Sequence, residues 1–390
     1  MPNAQTALKN RHAGLGPNVD LIGQPGSRSL LSTPCLVLDR RALEGNVASA
    51  AAYAASRKMA LRPHAKSHKC SRIAALQIEA GAVGICAATV GEAEALGGAG
   101  IGNILVTSNL SQRSKMERLA RLAASGCTVT AVVDDPEMTG QLGAVAQAQG
   151  VVLDVLVDVD LGRHRNGVTS VEQALGVAAR IAANPALRFK GLQAYASHIS
   201  HVEGFAERTA AAQKSVAEIL EIRAALTAAG HVVSCISGGS TGTLHIDAEM
   251  DCYTELQCGS YVFNDVEYRS IDLDGRNSDL FAPALFVRVS VIGRNVAGRV
   301  TCDGGNKQFS AKGTLPGFLV PPVPGAVYRP DSDEHGIIEL PAHAVQPALG
   351  TGFELIVPHC DPTLNLYDHL HVVDGDTLVD IWPIEGRGAF

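Results

Sequence analysis

Between residues 35 and 265 short runs of β-forming residues alternate with Ala-rich stretches of helical spacing, and that alternation limits the possible folds sharply. The runs are CLVLD (35–39), ALRPHAKS (60–67), VGICAAT (83–89), NILVTS (103–108), TVTAVVDD (128–135), LDVLVDVDLG (153–162), FKGLQAYASH (189–198), VVSCISGG (232–239) and ELQCGSYVFND (255–265). Stretches between them, such as QRSKMERLARLAASG and VEQALGVAARIAANP, place apolar residues at helical spacing and close on Gly or near Pro. Strands that alternate with helices predict a parallel sheet. Roughly eight such units over about 230 residues predict a TIM (β/α)8 barrel, with a doubly wound open sheet as the alternative.

After about residue 270 the rhythm stops. ALFVRVSVIG, RVTCDGG, FELIVPH and HLHVVDGDTLVDIWPI follow one another without helices, and GTLPGFLVPPVPGAVYRP (313–330) is dense in Gly and Pro. This predicts a second, mostly antiparallel β domain. A chain of 390 residues is also too long for one ordinary core. The expected organisation is an arm at 1–30 joining the β domain, a barrel at 31–270 and the β domain at 271–390.

Composition narrows the class. Hydrophobic residues make up 46% and charged residues 18%, a globular balance. A net charge of −7 argues against nucleic acid or an anionic membrane as the partner. The nine cysteines stand singly with no CxxC pair, which fits reduced thiols. No apolar run approaches the ~20 residues that span a bilayer, and the first residues carry no apolar signal core. The expectation is a soluble, cytoplasmic protein.

A barrel gathers its chemistry at the C-terminal ends of its strands. The polar residues at such ends are His64 and Lys66, Thr89, Asp158 to Arg165, Tyr195 and His198, and then the turn SGGSTGT (237–243). That turn offers several main-chain N–H groups and four hydroxyls, a cradle suited to phosphate. A plain βα turn would look the same. No GxxxxGK[ST] occurs and no GxGxxG follows a strand, so ATP-type and Rossmann readings are poor. A phosphate cradle with a lysine at a strand end points to pyridoxal 5′-phosphate (PLP), whose aldehyde condenses with lysine. LRPHAKSHKC (61–70) holds two lysines. Lys66 closes the β-type run, whereas Lys69 falls where the next helix should begin. A solvated surface lysine is the plainer alternative.

The last chemical signal is VPHCDPTLNLYDHLHV (357–372). In an extended segment His359 and Asp361 face one side and Cys360 the other. An imidazole with a carboxylate suits Mn²⁺, Zn²⁺ or Co²⁺. A polar turn before Pro362 is the plainer alternative.

These segments together resemble one family. TPCLVLDRRALEGNV (33–47), RPHAKSHK, DVDLGRHRNGV (158–168), GLQAYASH (191–198), SGGSTGT, ELQCGSYVFND and HCDPTLNLYD (359–368) stand in the order seen in D-threonine aldolases. They are also similar to D-serine dehydratases and hydroxy-D-aspartate enzymes, all in the PLP fold related to alanine racemase. The resemblance spans about residues 30–385. It implies that Lys66 holds PLP, with His64 in the same motif. Arg165 would approach the phenolic oxygen of PLP, and Tyr195 would be an active-site aromatic. Gly238, Gly239, Ser240 and Thr241 would form the phosphate turn, completed by Gly259, Ser260 and Tyr261. Gln257 lies where alanine racemase faces the pyridine nitrogen with an arginine. His201 falls at the spacing of the proposed general base, with His198 a close competitor.

The resemblance also separates chemistries. D-serine dehydratases show His-x-Cys, and D-threonine aldolases His-x-Asp, which here is His359 with Asp361. Asp tolerates Mn²⁺, Mg²⁺, Co²⁺ or Zn²⁺, whereas Cys favours Zn²⁺. The implied activity is PLP- and metal-dependent retro-aldol cleavage of a small 3-hydroxy-D-amino acid by a homodimer. A dehydratase, a racemase and a PLP carrier are the alternatives. A racemase has no use for HCD, and a carrier lacks the second domain.

Overall fold

The structure is a computed structural model of the chain and describes residues 14–310 and 319–390. Part of the N-terminal arm (1–13) and part of the Gly/Pro-rich segment (311–318) lie outside the described residues. The chain divides into two compact units. One holds Val47–Tyr261, Tyr268–Leu280 and Gly388–Phe390; the other holds the residues up to Asn46, Val262–Glu267 and Phe281–Arg387.

The strands in chain order begin with β1 (Cys35–Asp39), β2 (Ala60–Leu61), β3 (Ile85–Ala87), β4 (Ile104–Val106) and β5 (Val129–Val133). They continue with β6 (Leu153–Val159), β7 (Leu187–Ala194), β8 (Cys235–Gly238) and β9 (Glu255–Leu256). Strands β2 to β9 form one parallel sheet in the order β2-β9-β8-β7-β6-β5-β4-β3. Its two ends are joined. The Val83 N–H donates to the Leu61 carbonyl and the Cys86 N–H to that of Pro63, each at 2.8 Å, and His64 bridges to Cys86. This is the TIM-like barrel that the alternation predicted. Cys86, Leu105, Val132 and Leu156, one from each of four neighbouring strands, pack together in a buried cluster. Near-continuous apolar runs are what strands covered on both faces require.

The helices follow from local signals. The longer ones are α1 (Arg40–Ser56), α2 (Ser71–Glu79), α3 (Val90–Gly98), α4 (Arg113–Ala124), α5 (Pro136–Ala148), α6 (Val171–Ala182) and α7 (Phe205–Ala228). Four begin on a capping side chain, the first being Asp39, which accepts from the Ala42 N–H at 3.1 Å. Thr89 accepts from the Glu92 N–H at 3.1 Å, Asp135 from those of Glu137 and Met138, and Ser170 from that of Gln173. On α4, Met116, Leu119, Ala120 and Leu122 are buried while Arg113 and Arg121 face water.

One run departs from the alternation. CLVLD becomes β1, which pairs antiparallel with β10 (Leu285–Gly293) and parallel with β16 (His369–Asp374). It is a central strand of the second unit rather than a barrel strand. Its partners lie some 250 or more residues away in sequence, so nothing local marks the difference. The remaining strands are β11 (Arg299–Cys302), β12 (Leu319–Val320), β13 (Val327–Pro330), β14 (Gly336–Glu339), β15 (Gly352–Ile356) and β17 (Thr377–Pro383). The sheet runs β13-β14-β11-β10-β1-β16-β17, with β15 also on β10 and β12 on β15. All its pairs are antiparallel except β1–β16. Its core includes Leu31, Val37, Phe286, Ile356, Val373 and Ile381. No helix among the described residues is long and apolar enough to cross a membrane.

Candidate active site

The two lysines of LRPHAKSHKC part ways in the barrel unit. Pro63 ends β2 early, and the chain turns through a 3-10 turn at Ala65–Ser67 that carries Lys66. His64 organises this turn. Its Nδ1 accepts from the Lys66 main-chain N–H at 3.3 Å, which leaves Nε2 to donate to the Thr107 hydroxyl at 3.1 Å. The Thr107 hydroxyl donates onward to the Ala87 carbonyl. Lys69 adopts φ +48° and places its ammonium 3.0 Å from the buried Glu92 carboxylate. That carboxylate also accepts from the Ala88 N–H, so Lys69 is tied to the start of α3.

The SGGSTGT turn leaves β8 and is packed too closely for side chains at its glycines. A Cβ on Gly238 would stand 2.0 Å from the Ala194 carbonyl oxygen, and one on Gly242 2.0 Å from that of Ser200. Gly239 takes φ +73°. The Ser240 N–H donates to the Thr243 hydroxyl, and Thr241 Oγ1 accepts from the Tyr261 N–H at 3.1 Å. Ser260 is buried beside it. A Cβ on Gly259 would lie 2.8 Å from the His64 carbonyl, which brings the 257–261 segment against the Lys66 turn. The Tyr261 phenol accepts from Gln77 Nε2 at 3.1 Å. Asp247 lies behind the turn, fully buried, with a carboxylate oxygen 2.7 Å from where a Gly239 Cβ would be. Burial pushes its carboxyl up to about 7, against a hydrogen bond from Thr243.

Gln257 belongs to a directed network. Its Nε2 donates to Ser237 Oγ at 2.9 Å and to Gln193 Oε1 at 3.4 Å. Gln193 Nε2 in turn donates to the Thr107 carbonyl and to Asp158 Oδ1 at 2.8 Å. Asp158 also accepts from Asn109 and Asn166. Burial raises the Asp158 carboxyl to about 6, although these amides oppose the shift.

Arg165 and Tyr195 meet. The guanidinium lies 5.9 Å from the ring centroid, while its Nε donates to Asn166. His198 and His201 are both exposed on the segment after β7. The His201 ring contacts the Tyr268 ring at 4.9 Å. Fully buried Arg208 ties this segment down by donating to the carbonyls of Val202, Glu203 and Asp272.

The metal-type residues stand in the other unit. His359 is extended, but Cys360 begins a short helix (Cys360–Leu364), so strand alternation does not set the side on which Asp361 lies. His359 Nδ1 is 3.1 Å from Asp265 Oδ2 and 3.2 Å from Glu267 Oε2. Asp265 Oδ2 also accepts from the Cys360 main-chain N–H at 2.8 Å, and Cys360 Sγ is 3.3 Å from Asp361 Oδ1. Asp265, His359 and Cys360 bring one ligand atom each within 4.8 Å of one another. Burial lowers the His359 imidazole, but the Asp265 hydrogen bond and the charges of Asp361, Asp265 and Glu267 outweigh it, and the net shift is upward. His371, in the same sequence stretch, is a satisfied core residue held by Asn18 and the Leu36 carbonyl.

Comparison with known proteins agrees with this geometry. Residues 38–266 match the alanine racemase N-terminal domain, and 284–373 a putative serine dehydratase domain. A 3-hydroxy-D-aspartate aldolase of Paracoccus denitrificans (strain Pd 1222) is 36% identical over 99% of both chains. A D-threonine aldolase of Arthrobacter sp is 36% identical over 94% of this chain and 95% of its own. The crystal structure of D-threonine aldolase from Filomicrobium marinum superposes with a TM-score of 0.89 at 36% identity, covering 92% of this chain and 97% of that one. The chain belongs to the D-threonine aldolase family.

The family is one of PLP-dependent fold, and the barrel unit fits that cofactor. Gly259 packs on the Lys66 turn. The segment it belongs to is bonded through the Tyr261 N–H to Thr241 of SGGSTGT, a glycine-rich main-chain turn of the kind that receives a phosphate. The second unit fits a divalent ion. An imidazole with a carboxylate, His359 with Asp361, suits Mn²⁺, Mg²⁺, Co²⁺ or Zn²⁺, while Asp265 and Glu267 face the ring's Nδ1. Sequence reasoning missed Asp265 and Glu267, which are 94 and 92 residues before His359. It also missed Asp247, Gln193 and Arg208. Asp265 closes the quoted motif ELQCGSYVFND and Gln193 lies in GLQAYASH, so the signal was adjacency to a motif; Arg208 carried none.

Proposed function

We propose that this chain cleaves 3-hydroxy-D-amino acids of the D-threonine type, with PLP and a divalent metal, to glycine and an aldehyde. The observation that carries the reading is a division of labour between two donor sets: Lys66 beside the phosphate turn, and His359 among carboxylates. Bound PLP supplies the electron sink that breaking a Cα–Cβ bond requires. Lys66 is the residue that holds it covalently. Main-chain groups of Gly238, Gly239, Ser240 and Thr241, with Gly259, Ser260 and Tyr261, take the phosphate. Arg165, steadied over Tyr195, gives positive charge to the cofactor's phenolic side. His64 fixes the Lys66 turn, and Gln257 presents an amide held by Gln193 and Ser237.

His359 and Asp361 hold the metal, whose charge lowers the pKa of the substrate's 3-hydroxyl. His201 accepts the hydroxyl proton as general base, with His198 on the same segment as the competing candidate. Exposure keeps both imidazoles able to exchange protons with water. The native substrate is a small 3-hydroxy-D-amino acid, in the class spanned by D-threonine and hydroxy-D-aspartates. The working form is a cytoplasmic homodimer.

One observation favours a second reading. Cys360 lies with His359 and Asp265 at ligand spacing, and residues 284–373 match a putative serine dehydratase domain. That would make the chain a dehydratase. The test is product identity. The chelated protein is reloaded with PLP and given D-threonine with and without Mn²⁺. Glycine and acetaldehyde, formed only with metal, are expected. 2-Oxobutyrate and ammonia would replace this reading with the dehydratase.

A further inference from the structure

Asp265 makes two bonds with one oxygen. Oδ2 faces His359 Nδ1 at 3.1 Å and accepts from the Cys360 main-chain N–H at 2.8 Å. It therefore holds both the imidazole ring and the start of the short helix that carries Asp361. Its side chain is fully buried, whereas that of Glu267, which faces the same Nδ1 at 3.2 Å, is 19% exposed. A carboxylate is an acceptor, so both acidic partners require a proton on Nδ1. In a neutral ring the lone pair is then on Nε2.

We infer that Asp265 is a positioning residue which fixes His359 in the Nδ1–H form, so that Nε2 is the nitrogen given to the metal. The inference rests on the proposed metal role of His359. It differs from the alternative in which Asp265 binds the ion directly alongside Cys360, for there Nδ1 would keep only the partly exposed Glu267 as acceptor. Carboxylates that orient ligating histidines are worth about 10- to 100-fold in metal affinity.

The experiment is Mn²⁺ binding to the PLP-loaded protein, read from the EPR signal of free Mn²⁺. Asp265→Ala is expected to bind about 10- to 100-fold more weakly while PLP absorbance is kept. Asp265→Asn, which retains an acceptor oxygen without the charge, is expected to fall between Ala and wild type. Affinity in Asp265→Ala equal to wild type would overturn the inference. A second measurement needs no variant at this position. In Zn²⁺-loaded, ¹⁵N-histidine protein the His359 resonances, assigned by difference with His359→Gln, should show a proton on Nδ1 and the metal on Nε2; the reverse would overturn it. His359→Ala and Asp361→Ala separate the two levels. If both bind Mn²⁺ like wild type, the metal reading itself fails. If both lose Mn²⁺ and Asp265→Ala does not, only the inference fails.

Discussion

Two lysines three residues apart have different environments because the backbone between them turns. Lys66 rides the 3-10 turn after β2, and Lys69 is anchored to Glu92. Lys66→Ala should abolish the lysine-bound PLP absorbance and the borohydride-trapped adduct. Lys69→Met should keep both and lose about 1–3 kcal/mol, the cost of leaving a buried carboxylate without its partner. Asp247 makes a pH prediction. Its carboxyl is raised from 3.8 to about 7, so the folded chain holds the proton more tightly than the unfolded one. Its contribution to stability is therefore full below about pH 4 and is lost as pH climbs towards and past 7. Thr243, Cys252, Tyr253 and Cys258 are among the polar groups around it. In PLP-free protein, urea midpoints between pH 5 and 8 should fall more for wild type than for Asp247→Asn. An equal fall would exclude this carboxyl as a source.

At the scale of elements, the SGGSTGT turn proposed for phosphate and a mid-helix glycine should respond oppositely to the same substitution. Gly242→Ala must push Cβ into the Ser200 carbonyl, backbone against backbone. A loss of about 1–3 kcal/mol and a weakened PLP affinity are expected. Gly176 sits in α6 with open space where a Cβ would stand, so Gly176→Ala should stabilise by about 0.5–1 kcal/mol. Thermal denaturation and PLP titration of the two variants check both signs. In the β sheet, Glu354 on β15 accepts from Arg28 at 2.6 Å and Arg288 at 3.2 Å with its side chain 3% exposed. Glu354→Ala leaves Arg288 without its carboxylate and Arg28 with only Asp39 at 3.4 Å, and should cost about 3–5 kcal/mol in chemical denaturation.

At the scale of the molecule, the residues proposed for the cofactor and for the metal belong to different units. Those proposed for PLP fall within Val47–Tyr261, and His359 and Asp361 within Phe281–Arg387. A ligand at 100 times its Kd adds about 2.7 kcal/mol to whatever it holds folded. Calorimetry should therefore show PLP raising one transition and Mn²⁺ the other. A common shift of a single transition would mean that the units unfold together.

The alternation of runs and Ala-rich helices determined the barrel, because apolar period and capping are local properties that tertiary packing here only reinforces. The loss of that rhythm after 270 likewise determined a second β region, and motif order alone led to Lys66, the glycine turn and the HCD segment. Tertiary structure decided the rest. CLVLD is as apolar as a barrel strand, and only its pairing with β10 and β16 places it in the other sheet. Asp265 reaches His359 across 94 residues, and Arg208 reaches the Asp272 carbonyl across 64. Such contacts depend on where the chain returns in space, which no local periodicity encodes.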